Sequence, residues 1–403
     1  MKIRSICVGM AASRPLDAAA IAHAGSFLAA AAQRFGEAGI EVQTTRLALS
    51  PFAELGPADD DSWVVPYARD LEAECRANGI AFTSMGPIRW SRLGPEAGGR
   101  YAAALADALV ATEQINGTIE TTYDGRPSGS AALAAGQLVA RLAGETPRGF
   151  GNFRFCAIAE CGPGMPFFPA GYHGSGGPAF TIGLQAADEV RRAFAGAGNV
   201  DDLERRLGET LGAEIGRVEA IARTLESELG LRYGGTDLTP APFTTDEFSA
   251  AGMVEDLTGG EFGAAGTLAA ASVLTRMLKR LPYAQVGYSG LMLPVLEDSI
   301  LAQRTTAGLA SISELLSYSA VCGTGLDTVP VPGDATPEAL AAIILDVTAL
   351  AVALQKPLSC RLFPVPGRTA GERTEYDSPY LVNGSVLPLR GRVDARLFER
   401  FAP

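Results

Sequence analysis

The residues best suited to chemistry lie between Val286 and Pro332, where Cys322 stands directly before Gly323, with Gly325 two positions further on. Glycines let a ligand approach the backbone closely, and successive amides can form a nest for a developing anion. A thiolate held beside such amides can act as a nucleophile. Cys322 is therefore a candidate catalytic residue, and Gly323 and Gly325 are candidate substrate contacts. The alternative is a buried structural cysteine.

Other side chains of the same stretch suit ligand or metal binding. Tyr288 is flanked by glycines, and we expect it to contact a substrate. Arg304 can hold a carboxylate ligand or pair with a nearby acid. Glu297 is a candidate metal ligand. Glu297 and Asp298 also begin a predicted helix after Pro294, where carboxylates favour the helix dipole without any further role.

Histidine is scarce, since the chain has only two, and this rules out a multi-histidine metal site within one chain. His173 precedes the glycine-rich run 174–177. A lone histidine can serve as a general base near neutral pH. His173 is therefore a candidate catalytic residue, and the alternative is a polar group whose hydrogen bonds are satisfied within the fold.

Two aspartates follow glycines at the ends of predicted strands, Asp237 in GGTDLTPAP and Asp327 in GTGLDTVP. Each could orient a histidine, hold a substrate amine, or bind a metal. One divalent metal ion on Asp237, Asp327 or Glu297 is compatible with the sequence. The alternative for both aspartates is a cap on a turn. Arg361 stands inside an apolar strand, and a buried arginine needs an anion, either a substrate carboxylate or a partner acid.

The elements that must position these residues alternate between strand and helix, which predicts an α/β fold. The ten predicted strands cover residues 2–10, 41–49, 80–89, 110–122, 153–160, 179–186, 232–239, 284–293, 317–322 and 357–364. The predicted helices cover residues 16–36, 62–78, 98–109, 130–143, 200–229, 267–281, 295–305 and 336–355. No linker interrupts this rhythm, so we expect a single domain over residues 1–403. Periodicity alone leaves both a barrel and an open twisted sheet possible.

Composition narrows the classes of partner. The chain has 403 residues, 47% of them hydrophobic, and a net charge of −12. Such a charge repels phosphate backbones, which argues against nucleic acid and anionic membranes as partners. No nicotinamide, flavin or ATP motif is evident, because the glycine-rich run 259–267 lacks both the Walker lysine and the dinucleotide spacing. We expect a cytoplasmic homo-oligomer with a small-molecule substrate and six reduced cysteines.

Seven segments together are similar to the family known as domain of unknown function 711. They are PGMPFFPAGYH (163–173), GGTDLTPAPF (234–243), GTLAAASVLTRMLK (266–279), GLMLPVLEDSILAQR (290–304), YSAVCGTGLDTVPVPGD (318–334), KPLSCRLFPVPGRTAGE (356–372) and SPYLVNGSV (378–386). The resemblance implies a ten-stranded α/β barrel like that of pyruvate formate-lyase and the other glycyl radical enzymes. In those enzymes a cysteine on an inner loop exchanges a hydrogen with a glycine near the C-terminus. Cys322 could occupy such a loop, but Gly391 lacks the surrounding radical-loop pattern, so we predict that no glycyl radical forms.

These observations together predict an enzyme that acts on a small carboxylate- or amide-bearing metabolite inside the barrel. Its chemistry would be polar, of the lyase or hydrolase kind, with His173, Cys322 and an aspartate lining one cavity. The alternative is a non-catalytic ligand-binding or regulatory protein on the same barrel. In that case an arginine-lined pocket would exist without a nucleophile and a base in reach.

Overall fold

The main sheet has nine strands and is mostly parallel. The computed structural model describes residues 1–401. The strands of this sheet are β1 Lys2–Met10, β2 Thr45–Leu49, β3 Phe82–Arg89, β4 Ile115–Glu120, β7 Phe155–Ala159, β8 Ala179–Gln185, β9 Arg232–Asp237, β10 Gly325–Pro332 and β11 Leu358–Val365. Their spatial order is β10-β11-β7-β4-β3-β2-β1-β8-β9. A small hairpin is formed by β5 (Thr122–Tyr123) and β6 (Arg126–Pro127).

Helices connect these strands in the manner of βα units. They are α1 Ala18–Glu37, α2 Val64–Ala77, α3 Trp90–Ala111, α4 Gly129–Glu145, α5 Ala187–Phe194, α6 Val200–Leu229, α7 Ala250–Thr258, α8 Thr267–Arg280, α9 Ser299–Thr306, α10 Ile312–Ser319, α11 Pro337–Leu354 and α12 Arg396–Arg400. Short 3₁₀ helices cover Phe52–Glu54, Pro147–Arg154 and Asp246–Phe248. The α/β class predicted from the sequence is confirmed.

Strand direction divides the sheet into a central parallel set and two flanking pairs of strands. The central strands β1, β2, β3, β4 and β7 pair in parallel. At one end β8 pairs antiparallel with β1, and at the other end β11 pairs antiparallel with β7. The outer strands β9 and β10 run parallel to β8 and β11, respectively. Both flanking pairs therefore run opposite to the central set.

The segment 284–296 reaches both edges of this sheet. Gln285 forms an isolated parallel bridge with Thr236 of β9, and Pro294 forms another with Asp327 of β10. Between these bridges the chain is irregular, with positive φ angles at Gly287 and Ser289. The predicted strand 284–293 is thus a connecting segment with one bridge at each end.

Two helices show how the sequence specifies the layers around the sheet. The amphipathic α6 begins at an Asn199 side chain that accepts from the Asp202 amide, and it ends at Gly230 in a left-handed conformation. The apolar α11 lies close to α4, where a Cβ added at Gly136 would come 2.4 Å from the Pro337 carbonyl oxygen. By length and composition alone α11 could span a membrane, the one such helix among residues 1–401. Within the fold 39% of this helix is buried, and its Thr348 hydroxyl hydrogen-bonds with that of Thr121.

The predicted strand 317–322 is wrong. These residues belong to the end of α10 and the turn after it, and the strand starts later, at Gly325. A capping box explains the helix, because the Ser311 side chain bonds the N3 amide while Glu314 bonds back to the Ser311 amide.

One long connection packs onto the sheet instead of running around it. We call residues 161–178, between β7 and β8, the inner segment. The Pro166 carbonyl accepts from the Ser5 hydroxyl at 2.9 Å, and the His173 amide donates to the Leu49 carbonyl at 3.0 Å. Phe167 lies against β8, where a Cβ on Gly183 would come 3.1 Å from the ring. The inner segment is therefore fixed on the face of β1, β2 and β8.

Candidate functional site

A small cavity lies between the inner segment and the strands, and five charged side chains line it. Its volume is about 50 Å³, and we call it the arginine cavity. The charged residues are Arg4, Arg46, Arg361, Glu297 and Asp327. Aromatic and polar residues complete the wall, among them Phe82, Phe153, Phe168, Tyr380, Asn116, Tyr288, Thr324 and Ser359. These residues come from strands at both ends of the sheet, so only the complete fold assembles the site.

Two of the arginines share a buried carboxylate. Glu297 accepts from Arg4 Nη2 at 3.0 Å and from Arg361 Nη2 at 2.6 Å. Arg361 Nε also donates to Asp327 at 2.6 Å. Burial alone would lower the pKa of Arg361, but the charges of Asp327 and Glu297 outweigh it and raise that pKa. The sequence-based expectation that Arg361 has an anionic partner is therefore met by these two acids.

Arg46 is the exception, because it pairs with no carboxylate among residues 1–401. Its Nε donates to the Thr44 hydroxyl at 3.1 Å and its Nη1 to the Pro166 carbonyl at 3.2 Å. The guanidinium lies over the Phe82 and Phe168 rings at 5.9 and 5.2 Å. Burial first, and then the nearby charge of Arg4, lower the pKa of Arg46 to about 9, so it is still protonated at neutral pH. An unpaired buried cation is costly, and an anion in the cavity would relieve that cost.

A chain of hydroxyls forms a neutral part of the cavity wall. Tyr288 Oη donates to Ser359 Oγ at 2.9 Å, and Ser359 Oγ donates to the Thr324 carbonyl at 3.1 Å. Thr324 is 1% exposed, and its own hydroxyl has no hydrogen-bond partner within the described residues. Cys156 also lines the cavity, and burial raises the pKa of this thiol, which keeps it protonated. The thiol in the cavity is therefore not an activated nucleophile.

Asp237 has a structural position. It is completely buried, and its oxygens accept from the amides of Thr239, Tyr288 and Ser289 at 2.8 to 3.0 Å. Burial raises the pKa of Asp237, and these hydrogen bonds oppose the rise. Gly287 is required beside it, because a Cβ there would come 2.1 Å from Asp237 Oδ2. Asp237 thus fixes the turn that presents Tyr288 to the cavity.

The donor set does not fit a divalent metal. Of the three proposed ligands, Glu297 and Asp327 are both paired with Arg361, and Asp237 is enclosed by backbone amides. Within residues 1–401 no three His, Cys, Asp or Glu side chains are grouped as a metal site requires. The two carboxylates at the cavity are already neutralised by guanidinium groups, which would repel a cation.

His173 lines a different cavity, formed in part by other residues of the inner segment. This histidine cavity has a volume of about 190 Å³ and shares no lining residue with the arginine cavity. Its wall includes Cys7, Gly9, Tyr172, Ser175, Thr181 and Arg232. His173 Nε2 lies 3.4 Å from the Gly176 carbonyl, and a Cβ on Gly9 would come 2.9 Å from Nδ1. Gly9 therefore makes room for the imidazole.

Cys322 lies in the main hydrophobic core and is completely buried. Its carbonyl accepts from Lys356 Nζ. The expected amide nest is not available, because the Gly323 amide donates to the Leu291 carbonyl at 2.6 Å. A Cβ on Gly325 would come 2.3 Å from the Ser359 carbonyl oxygen, so that glycine permits close strand packing. The structure does not bring His173, Asp237 and Cys322 to one cavity.

Of the remaining predicted site residues, some line the arginine cavity and one lies outside it. Tyr288, Glu297, Asp327 and Arg361 line the arginine cavity. Arg304 does not, since it pairs with Glu255 at 2.7 Å in a partly exposed position. Sequence reasoning missed Arg4 and Arg46, although each is a charge inside an apolar strand, the same signal that identified Arg361.

Comparison with known proteins identifies the family. The model of the family described as "Uncharacterised ACR (DUF711)" matches residues 1–378. The chain belongs to this family. A UPF0210 protein of Pyrobaculum arsenaticum is 31% identical over 83% of this chain and 76% of its own length. UPF0210 proteins of Limosilactobacillus reuteri and Neisseria meningitidis are 27% and 26% identical, over 84% and 87% of this chain and 78% and 80% of their own lengths. The family resemblance inferred from the seven segments is confirmed, and neither the family's description nor the relatives' names specify a reaction.

Proposed function

We propose that the protein binds a small organic anion, a carboxylate in particular, inside the arginine cavity. The observation that supports this most is Arg46, a buried guanidinium that lines the cavity without a carboxylate partner. Arg361 and Arg4 have partners within the fold, so their charges are already compensated. A ligand carboxylate supplies the anion that Arg46 lacks.

We also propose that the segment 284–296 closes the sheet into the ten-stranded barrel that the family resemblance implies. Its bridges to β9 and β10 are both parallel, so it would run with the flanking strands. The barrel would then have ten strands. The five central strands β1, β2, β3, β4 and β7 would run in one direction, and β8, β9, β10, β11 and the segment 284–296 would run in the opposite direction. Closure would place the arginine cavity inside the barrel and exclude bulk water from it.

Polar catalysis of the lyase or hydrolase kind is the second candidate. Asp327 and Tyr288 line the same cavity as Arg46. A carboxylate ligand bound to Arg46 would therefore lie near a candidate general base, Asp327, and a candidate general acid, the Tyr288 hydroxyl. His173 and Cys322 are not needed in this version. Catalysis by Cys322 is less favoured, since a completely buried core thiol is not accessible to a substrate. The single domain, the cytoplasmic location, the homo-oligomer and the exclusion of nucleic acid and membranes stay predictions.

The test is ligand binding by native mass spectrometry and calorimetry, with butyrate as the probe. Arg46→Met should weaken butyrate binding about tenfold to a hundredfold, because a charge-assisted hydrogen bond contributes roughly 1.5–3 kcal/mol. Arg304→Met is the matched control, since Arg304 is paired with Glu255 outside the cavity. Equal affinity in wild type and Arg46→Met, or a loss in Arg304→Met alone, would contradict the proposal.

A further inference from the structure

We infer that the ligand of the arginine cavity is a monoanion whose uncharged part carries a hydroxyl or carboxamide group, recognised by Thr324 and Tyr288. This inference rests on the proposed function and specifies its ligand class. It follows from the net charge of the side chains that line the cavity, and from a hydroxyl group of its uncharged wall that lacks a hydrogen-bond partner within the described chain.

The charge count favours a single negative charge. Arg4, Arg46 and Arg361 contribute three positive charges, and Glu297 and Asp327 contribute two negative ones, which leaves one positive charge. The cavity's thiol is neutral, because burial raises the pKa of Cys156, and burial likewise raises the pKa of the Tyr288 hydroxyl. One carboxylate balances the cavity, whereas a dicarboxylate would leave a second buried charge without compensation.

The neutral wall includes a fully buried hydrogen-bond donor without an acceptor. The Thr324 hydroxyl is buried and has no partner among residues 1–401. Buried polar groups in folded proteins are nearly always paired, and an unpaired one that lines a cavity calls for an explanation. A polar atom of the ligand at this position would provide the missing acceptor. This observation is independent of Arg46, because Thr324 precedes β10 while Arg46 lies on β2.

The direction of the neighbouring hydrogen bonds indicates an acceptor beside this donor. The Ser359 hydroxyl donates its hydrogen bond to the Thr324 carbonyl, so its oxygen accepts the hydrogen bond from the Tyr288 hydroxyl. Tyr288 Oη then keeps a lone pair for another donor. A hydroxyl or carboxamide can accept from Thr324 and donate to Tyr288, whereas a methyl group does neither and a carboxylate cannot donate. The cavity is small, at about 50 Å³, which agrees with a small ligand.

The experiment compares acids of matched length by calorimetry on the full-length protein. The probes are butyrate, the hydroxybutyrates with the hydroxyl at each carbon in turn, and succinate. One hydroxybutyrate should bind about tenfold more tightly than butyrate, and succinate should bind no better than butyrate. Thr324→Val, which keeps the shape of the side chain, should remove the advantage of that hydroxybutyrate over butyrate.

Thr118→Val is the matched control, because Thr118 also has a buried unpaired hydroxyl but does not line the cavity. It should retain the preference for the hydroxybutyrate. If all the acids bind with Arg46-dependent affinity but no hydroxybutyrate is preferred, or if succinate binds best, the ligand class is wrong and the proposed function stands. If no acid binds, or binding does not depend on Arg46, the proposed function fails as well.

Discussion

Arg46 and Arg154 are both buried arginines without a carboxylate partner in the described chain, yet their surroundings differ. Arg154 lies at the start of β7 and donates to the Leu109 and Ile115 carbonyls and to the Thr112 hydroxyl. These acceptors lie at the end of α3 and the start of β4, so the guanidinium ties the helix to the strand. Within residues 1–401 Arg46 makes only two hydrogen bonds, to Thr44 and Pro166, and it lines a cavity.

This difference shows why a buried charge does not by itself mark a ligand site. Burial lowers the pKa of both side chains, that of Arg154 to about 10 and that of Arg46 to about 9. What separates them is the open space in front of Arg46. A buried arginine indicates function where its surroundings leave room for an anion, and structure where backbone carbonyls already fill its coordination.

The largest expected effect comes from removing the compensated arginine of the cavity. Arg361→Met leaves Glu297 with only Arg4 and leaves Asp327 without an ion-pair partner. Breaking a buried pair on one side costs roughly 3–5 kcal/mol of unfolding free energy. Urea denaturation should show this loss. A loss under about 1 kcal/mol would mean that the network is solvated, and the contrast with Arg46 would then disappear.

The direct test of the comparison is the matched pair Arg154→Met and Arg46→Met. Arg154→Met should lower the unfolding free energy by about 1–3 kcal/mol, since it leaves buried acceptors unpaired. Arg46→Met should be neutral or stabilising without ligand, because Pro166 still accepts from Ser5 and the unpaired charge is gone. Urea denaturation of both variants without added acid measures this. An equal loss in the two variants would show that Arg46 is as structural as Arg154.

The smallest expected effect is on the alkylation of the cysteines, which extends the comparison from buried arginines to buried thiols. Burial raises the pKa of Cys7 and Cys161 to about 12 and that of Cys75 to about 11, so thiolate is scarce below those values and alkylation should accelerate as the pH rises towards them. In native protein at neutral pH, iodoacetamide should react slowly, first with the half-buried Cys161. Cys322 should react only after unfolding, because it is completely buried.

Mass spectrometry of the alkylated peptides locates the modified thiols. Cys322→Ser should lower the unfolding free energy by about 1–3 kcal/mol, because it places a hydroxyl in an apolar core. Rapid native labelling of Cys322, together with a Cys322→Ser variant of unchanged stability, would restore its candidacy as a nucleophile.

The sequence predicted those parts of the fold that local pattern determines. The strand 2–10 and the helix 200–229 agree with the structure residue for residue, because a short apolar run and helical spacing are local properties. The strand predicted at 317–322 failed because the apolar run YSAV also fits a helix, and the capping box of Ser311 and Glu314 upstream decided for the helix. The segment 284–293 failed because Gly287 and Ser289 break the strand that its apolar residues suggest.

The site was predicted only in part, for a physical reason. Arg361, Asp327, Glu297 and Tyr288 were identified individually, but their common cavity depends on strands at opposite ends of the sheet. Spacing along the chain contains no information about such distances. Glycines beside Cys322 suggested substrate access, whereas the structure uses Gly323 and Gly325 for close packing of the backbone. Glycine marks a close approach without specifying whether the approaching group is ligand or protein.

The ion pair between Arg4 and Glu297 has a consequence for the order in which the protein can be built. Its two members are 293 residues apart in the chain, and Arg46 also precedes every acid of the cavity. During synthesis the first two strands leave the ribosome long before the counter-charges exist. The face that carries Arg4 must stay hydrated until Glu297 arrives, because an uncompensated cation resists burial. The interior thus closes last, and a truncated chain that ends before Glu297 should expose the arginine side of its sheet to water.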